Sequence, residues 1–259
     1  MKVVILCGGL GSRLGHFTES RPKPMVEIGG MPILCHIMRT YAHYGFNEFV
    51  LCLGYKGEVI KEYFYHYELL SNSFTIDMTS GNIQLHHSHN NDRWKVTLVD
   101  TGLTAMTGAR VKRIERFIDS DRFMLTYGDG LTDLNIRELV RFHRAHGKIG
   151  TVTGVFPPSR YGELSILGDH VVSMEEKPEN HANSISGGYF VFSRRVFNYL
   201  EDDDNCVMET GPLRKMAADG ELKVFVHRGF WQCMDTPRDY EHLKELWVKN
   251  MAAWKVWED

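Results

Sequence analysis

Gly8, Gly9 and Gly11 come directly after the apolar run Val3–Cys7, and Ser12, Arg13 and a proline-flanked Lys23 follow them. Glycines at such a place let backbone N–H groups close around an anion, and Arg13 and Lys23 add full positive charge. Pro22 and Pro24 stiffen the chain on either side of the lysine. This combination suits the cradling of phosphate; a plain βα turn that happens to be rich in glycine is the alternative. Two common phosphate loops do not fit. A Walker A loop needs Lys-Ser or Lys-Thr after its last glycine, and neither is present. A dinucleotide fingerprint needs a third glycine where Leu14 stands, and an acidic residue closing the next strand, which NEFVLCLG does not supply.

Asp129 stands between Gly128 and Gly130 at the end of the apolar run Arg122–Tyr127. A carboxylate at the end of a strand can hold a hard cation such as Mg2+, although Asp-Gly is also a common turn. A partner carboxylate is available in FWQCMDTPRD as Asp235, whose plain alternative is a helix N-cap. In MEEKP, Glu176 and Lys177 are adjacent, so on a strand they face opposite sides. One could take a sugar hydroxyl and the other a phosphate, unless the segment is a solvated strand end. Met106–Arg113 reads as the entry to a basic helix, whose N-terminus with Arg110 could serve phosphate or could be a solvated face. His86, His87 and His89 alternate and His143 and His146 lie three apart, without carboxylates or cysteines at metal spacing. Structural or surface roles are expected for them.

The elements that must position these residues can be read from periodicity. Lys2–Cys7 and Asn47–Gly54 read as buried strands, with helices starting at Pro32 and covering Glu58–Leu70. Strand and helix alternate from the start, which predicts a parallel sheet with right-handed crossovers. Short alternating runs fill Ser73–Asp100, a helix is expected over Gly108–Phe117, and strand signals return at Arg122–Tyr127 and Thr151–Phe156. Asn135–His146 is an amphipathic helix. GELSIL, HVVSMEE and GGYFVFS read as a β-rich insertion returning to the sheet, and Asp239–Glu258 as mostly helical with three tryptophans to pack. The expected architecture is one α/β domain over residues 1–259, a Rossmann-like, mixed, mostly parallel sheet flanked by helices. Residues 73–100 and 160–190 form its β-rich excursions and 239–259 its C-terminal helical segment.

The bulk composition narrows the function classes. With 259 residues, 43% hydrophobic and a formal charge of −3, the chain has an ordinary globular make-up and no general footprint for nucleic acid or anionic membrane. The apolar run after Met1 is too short for a signal-peptide core, and a cytoplasmic location is expected. Five cysteines without a Cys-x-x-Cys suggest neither a disulfide framework nor a zinc site.

Taken in order, Gly8–Leu14, Pro22-Lys23-Pro24, Gly128-Asp129, Glu176-Lys177-Pro178 and Asp235 resemble the sugar-1-phosphate nucleotidyltransferase family. KPMVEIGGMPIL, GYKGEVIKEYF, TYGDG and GFWQCMDT extend the likeness over essentially the whole chain, toward the branch that uses CTP and glucose 1-phosphate. The resemblance implies a GT-A-like fold and the reaction CTP + sugar 1-phosphate → CDP-sugar + pyrophosphate. It implies Mg2+ on Asp129 and Asp235. Arg13, Lys23 and Asp129 would be catalytic, and Leu6, Cys7, Gly8–Arg13, Lys23, Thr107, Arg110 and Gly128 would bind the nucleotide. Glu176, Lys177, Ser186 and Gly187 would bind the sugar phosphate. Two departures bear on the acceptor: Ser186 replaces the branch's Asn, and Met208–Leu213 reads Met-Glu-Thr-Gly-Pro-Leu against Trp-Glu-x-Glu-Pro-Leu, both segments being expected near the sugar. A different phosphorylated acceptor, UTP or dTTP in place of CTP, or a non-catalytic nucleotide-sugar sensor are the alternatives. The family further implies a tetramer or hexamer, and a place in surface-polysaccharide (O-antigen) synthesis.

Overall fold

The computed structural model describes residues 1–86, 93–157, 163–175 and 184–258. Its centre is β1 (Val3–Leu6), four apolar residues buried on both faces. Successive side chains of a strand point to opposite sides, so Val3 and Ile5 enter one core and Val4 and Leu6 another. On either side of β1, in parallel register, lie β2 (Glu48–Leu53) and, later in sequence, β4 (Arg122–Tyr127). The edge strand β3 (Lys95–Asp100) runs parallel to β2. Beyond β4 lie β6 (Ile185–Ser193), β5 (Gly150–Val155) and β7 (Leu222–Val226). The spatial order is β7-β5-β6-β4-β1-β2-β3, and only β6 runs against the others. This is the mixed, mostly parallel sheet that the alternating pattern predicts.

Helices cover both faces. They are α1 (Ile33–His43), α2 (Gly57–Tyr65), the short α3 (Tyr67–Ser71), α4 (Thr107–Arg113), α5 (Ile136–His146), α6 (Pro212–Ala218) and α7 (Pro237–Val248). Leu34 and Ile37 of α1, Leu139 of α5, Leu243 of α7 and Trp254 fill the core on the Val3 side. Val111 of α4, Met216 of α6, Met208 and Phe197 fill the other. β1 connects onward to β2 on one side, while β4 takes the place on its other side. The carboxyl ends of β1 and β4 therefore open a crevice, where ligands of parallel α/β sheets lie.

Several expectations change. The helix predicted over Glu58–Leu70 breaks at His66 into α2 and α3, and the one over Gly108–Phe117 is α4 followed by a 3-10 turn, Glu115–Phe117. β7 and α6 have no counterpart in the sequence reading. The C-terminal helix stops at Val248, where Lys249 caps it and Asn250 turns left-handed (φ 55°). The chain then doubles back and buries Trp254 completely, its Nε1–H donating to His36 Nδ1 at 3.2 Å. Burial of that indole is a stronger demand than helix continuation. Cys7, Cys35 and Cys52 are buried thiols and Cys206 and Cys233 half-buried ones, and none of the five is in a disulfide. No helix among the described residues is long and apolar enough to cross a membrane.

Candidate functional site

The crevice contains two adjoining cavities. One, of about 400 Å3, is lined by Leu6, Cys7, the Gly8–Arg13 loop, Lys23, Thr107, Arg110, Gly128, Asp129 and Asp235, among others. The second, of about 200 Å3, is lined by Ser186, Gly187, Gly188, Tyr189, Trp231 and Cys233. Arg13, Tyr127, Asp129 and Asp235 belong to both, so they form the seam. A larger cleft of about 650 Å3 lies beside β3 under Phe64, Tyr67 and Trp94, away from the glycine loop and the paired aspartates.

Local chemistry explains how the seam is assembled. After β4 the chain turns at Gly128-Asp129 into a short strand, Gly130–Thr132, which pairs antiparallel with Trp231–Cys233. Met234 N–H extends that ladder by donating to the Asp129 carbonyl at 2.9 Å. Residues about a hundred positions apart are thereby zipped together, and Asp235 emerges beside Asp129. The helix-cap alternative for Asp235 fails because Thr236 is the cap: its Oγ1 accepts from Asp239 N–H, and Asp239 reciprocates to Thr236 N–H. The Asp235 carboxylate faces the seam instead.

There Lys23 Nζ donates to Asp129 Oδ2 at 2.6 Å and to Asp235 Oδ1 at 2.5 Å, and Arg13 Nη2 lies 3.1 Å from Asp235 Oδ1. Burial works against the Lys23 charge, but the two carboxylates outweigh it and its pKa rises. Burial likewise opposes the Asp235 charge, and Lys23 and Arg13 outweigh it, so its pKa falls. Cys233 Sγ lies 3.6 Å from Asp235 Oδ2; burial and the neighbouring aspartates push its pKa up to about 12, which keeps it a thiol.

The donor set fits a hard divalent cation. Two carboxylate oxygens already share one cationic partner, and Mg2+ is held by one or two carboxylates with water and phosphate completing its shell. No group of three histidine, cysteine or acidic side chains gathers as a metal site among the described residues, so a closed protein cage is not what this pair forms.

Arg110 is 5% exposed, and Nη1 donates to the Leu53 and Gly102 carbonyls and to Thr101 Oγ1 while Nη2 donates to the Gly8 and Leu103 carbonyls. It forms part of the cavity wall, and its guanidinium nitrogens are engaged by carbonyls and Thr101. Gly8 has a second reason to be glycine: a Cβ there would lie 2.2 Å from the guanidinium carbon. The anion site expected at the N-terminus of α4 is also taken, since Gly108 and Ala109 N–H donate to the Cys206 carbonyl.

Ser186 is exposed at the rim of the smaller cavity, and Trp231 Nε1–H donates to the Gly187 carbonyl at 2.7 Å. Glu176 and Lys177 lie outside the described residues, as do His87 and His89. His86 is exposed and pairs with Thr75; His143 and His146 both meet Thr151 Oγ1. The Met208–Leu213 segment does not line the smaller cavity: Met208 is core, Gly211 precedes α6, and Glu209 bonds Thr107 and Tyr127. Tyr127, Trp231 and Met106 went unassigned in the sequence. Tyr127 is adjacent to Gly128-Asp129, and that adjacency was the one available signal.

The family model for nucleotidyl transferases matches residues 2–250. The chain is 49% identical over 259 residues to glucose-1-phosphate cytidylyltransferase of Salmonella typhimurium, with both chains fully covered. It is 43% identical over 257 residues to the probable glucose-1-phosphate cytidylyltransferase of Bacillus subtilis, covering 99% of this chain and 100% of that one. Among solved structures it is similar to HddC from Yersinia pseudotuberculosis complexed with GMP-PN, at TM-score 0.68 and 26% identity, covering 95% and 99% of the two chains.

Proposed function

The chain belongs to the nucleotidyl transferase family, and from that premise we propose that it transfers a cytidylyl group from CTP to α-D-glucose 1-phosphate, releasing pyrophosphate. The observation that carries the reading is the seam: Lys23 sits on Asp129 and Asp235 where a glycine-loop cavity meets a second, smaller one. The larger cavity takes CTP and the smaller takes the sugar, so the two phosphate groups meet at Lys23 and Arg13.

A phosphate monoester has its second pKa near ~6 and is largely a dianion at neutral pH. Its oxygen attacks the α-phosphorus of CTP, a P–O bond forms, and the bond to the bridging oxygen of pyrophosphate breaks. No general base is required, and no histidine lines either cavity among the described residues. The difficulty is charge, because two polyanions must meet in line. Asp129 and Asp235 would hold Mg2+, which when bound neutralises phosphate charge. Arg13 and the amides of the glycine loop hold the β- and γ-phosphates that leave. Lys23, rigid between its prolines, faces the α-phosphate and the attacking phosphate. Gly187 and Ser186 border the sugar, with Glu176 and Lys177 as its further partners.

Pyrophosphate release from a panel of CTP, UTP and dTTP against several sugar 1-phosphates tests the reading. CTP with glucose 1-phosphate should give the highest kcat/KM. A different best pair would overturn the substrate assignment, and no release with any pair would overturn the reaction.

A further inference from the structure

Glu209 stands outside every role described above and lines neither cavity, yet it holds a wall residue of each. Its Oε2 accepts from Thr107 Oγ1 at 2.8 Å, and its Oε1 accepts from Tyr127 Oη. Thr107 lines the larger cavity, and Tyr127 lines both. An ionised carboxylate only accepts hydrogen bonds, so one oxygen serves each hydroxyl and the two walls are referred to a single group. The Thr107 hydroxyl is held from its other side too, because it accepts from Met208 N–H at 2.9 Å. Tyr127 is equally confined: its ring occupies the space where a Cβ on Gly188 would lie 2.3 Å away, and Gly188 takes φ 76°.

The backbone around Glu209 is built as a clamp. Asp204 O accepts from Met106 N–H at 2.8 Å, and Cys206 O accepts from Gly108 and Ala109 N–H at 2.8 and 3.1 Å. Residues 204–209 therefore grip the loop that bears Met106 and Thr107 and deliver the carboxylate to the end of β4. Because Tyr127 directly precedes Gly128 and Asp129, a displaced phenol shifts the smaller cavity's wall and the seam together.

We propose that Glu209 is a positioning residue that locks Thr107 and Tyr127 in one arrangement, so that the nucleotide wall and the sugar wall are set together. The inference rests on the assignment of the larger cavity to CTP and the smaller to glucose 1-phosphate. A glutamine here keeps the shape but has one acceptor oxygen and no charge, so one of the two hydroxyls loses its acceptor.

The test is steady-state kinetics on wild type, E209Q, T107V, Y127F and the E209Q/Y127F double variant, with both substrates varied. E209Q should raise KM for CTP and for glucose 1-phosphate, each by about tenfold, with kcat changed by less than about threefold. T107V should raise KM chiefly for CTP. The double variant should lose less than the product of the two single losses, because Glu209 and Tyr127 share one bond. General loosening of the fold would lower the active fraction and hence kcat, not both KM values. Unchanged KM for either substrate in E209Q, or multiplying losses in the double variant, would overturn the proposal. If wild type does not turn over CTP and glucose 1-phosphate, the substrate reading fails instead. Should E209Q not fold, Y127F and T107V decide: KM raised for both substrates in the first and for CTP in the second supports the lock, and any other pattern overturns it.

Discussion

Without the Lys23 ammonium, Asp129 and Asp235 would face each other with only Arg13, 73% exposed, to offset them among the described residues. The lysine therefore serves the free protein as the cation between two carboxylates, and in the proposed reaction it is the positive charge at the α-phosphate. K23A should lower kcat by about 10²- to 10³-fold, as removal of a preorganised electrostatic group does. D129N should do the same, since it removes half of the carboxylate pair. Circular dichroism and single-turnover pyrophosphate release check both at once; a folded K23A with near-wild-type turnover would remove Lys23 from the mechanism. The sequence already held these three residues, because glycine, proline and aspartate at strand ends leave few structural duties for a charged neighbour. It named Arg110 but not its partners, because its type suits phosphate and carbonyl oxygens equally well; only the positions of Leu53, Gly8 and Gly102 decide which it meets.

At the scale of elements, the decisive piece is the short ladder of Gly130–Thr132 and Trp231–Cys233 with α7 beginning directly after it. The capping box of Thr236 and Asp239 fixes where that helix starts, and so fixes the direction in which Asp235 leaves the strand. T236A should cost about 1 kcal/mol of stability by loss of the cap. It should also weaken activity at saturating CTP, because Asp235 N–H is held by the same Asp239 carboxylate at 3.2 Å. Chemical denaturation and kcat measured on one preparation check the pair of effects, and unaltered kcat would show that the cap does not orient Asp235. Strand-helix alternation made β1, α1, β2 and α5 legible, since each carries an apolar period of its own. β7, with Lys223, Val224 and Val226 exposed and no regular alternation, and the seven-residue α6 carry no comparable signal and are stabilised by what they pack against.

At the scale of the whole molecule, the doubled-back C-terminus joins α1 through His36. Trp247, Trp254 and Trp257 surround that imidazole, with ring centroids 4.9, 6.2 and 5.8 Å away. Nδ1 accepts from Trp254 and Nε2–H donates to the Ile28 carbonyl, an arrangement that needs the neutral ring. Burial first, with Arg39 and Lys255 in support, lowers its pKa from 6.5 to about 4. Between those values the unfolded chain binds a proton that the folded chain refuses, so stability is full above pH 6.5 and falls as pH drops toward 4. The loss should reach about 3 kcal/mol from this group. Denaturant midpoints measured from pH 7.5 to 4.5 check it; H36Q should show a shallower slope than wild type, and an identical slope would exclude His36 as the source.

The sequence by itself determined the fold class and the family resemblance, because apolar periodicity and a glycine-proline-aspartate grammar are local and need no partner to be read. It also held the chemistry of the seam as residue types. Tertiary structure alone decided which residues converge. Asp129 and Asp235 meet through a ladder with few sequence marks, Arg110 turns to carbonyls, and Glu209 bonds Thr107 and Tyr127 from a segment expected near the sugar. The physical reason is common to all three. A charged or polar side chain records in its type what it can bond, but the partner's position comes from chain elements far away in sequence, and no spacing encodes that distance.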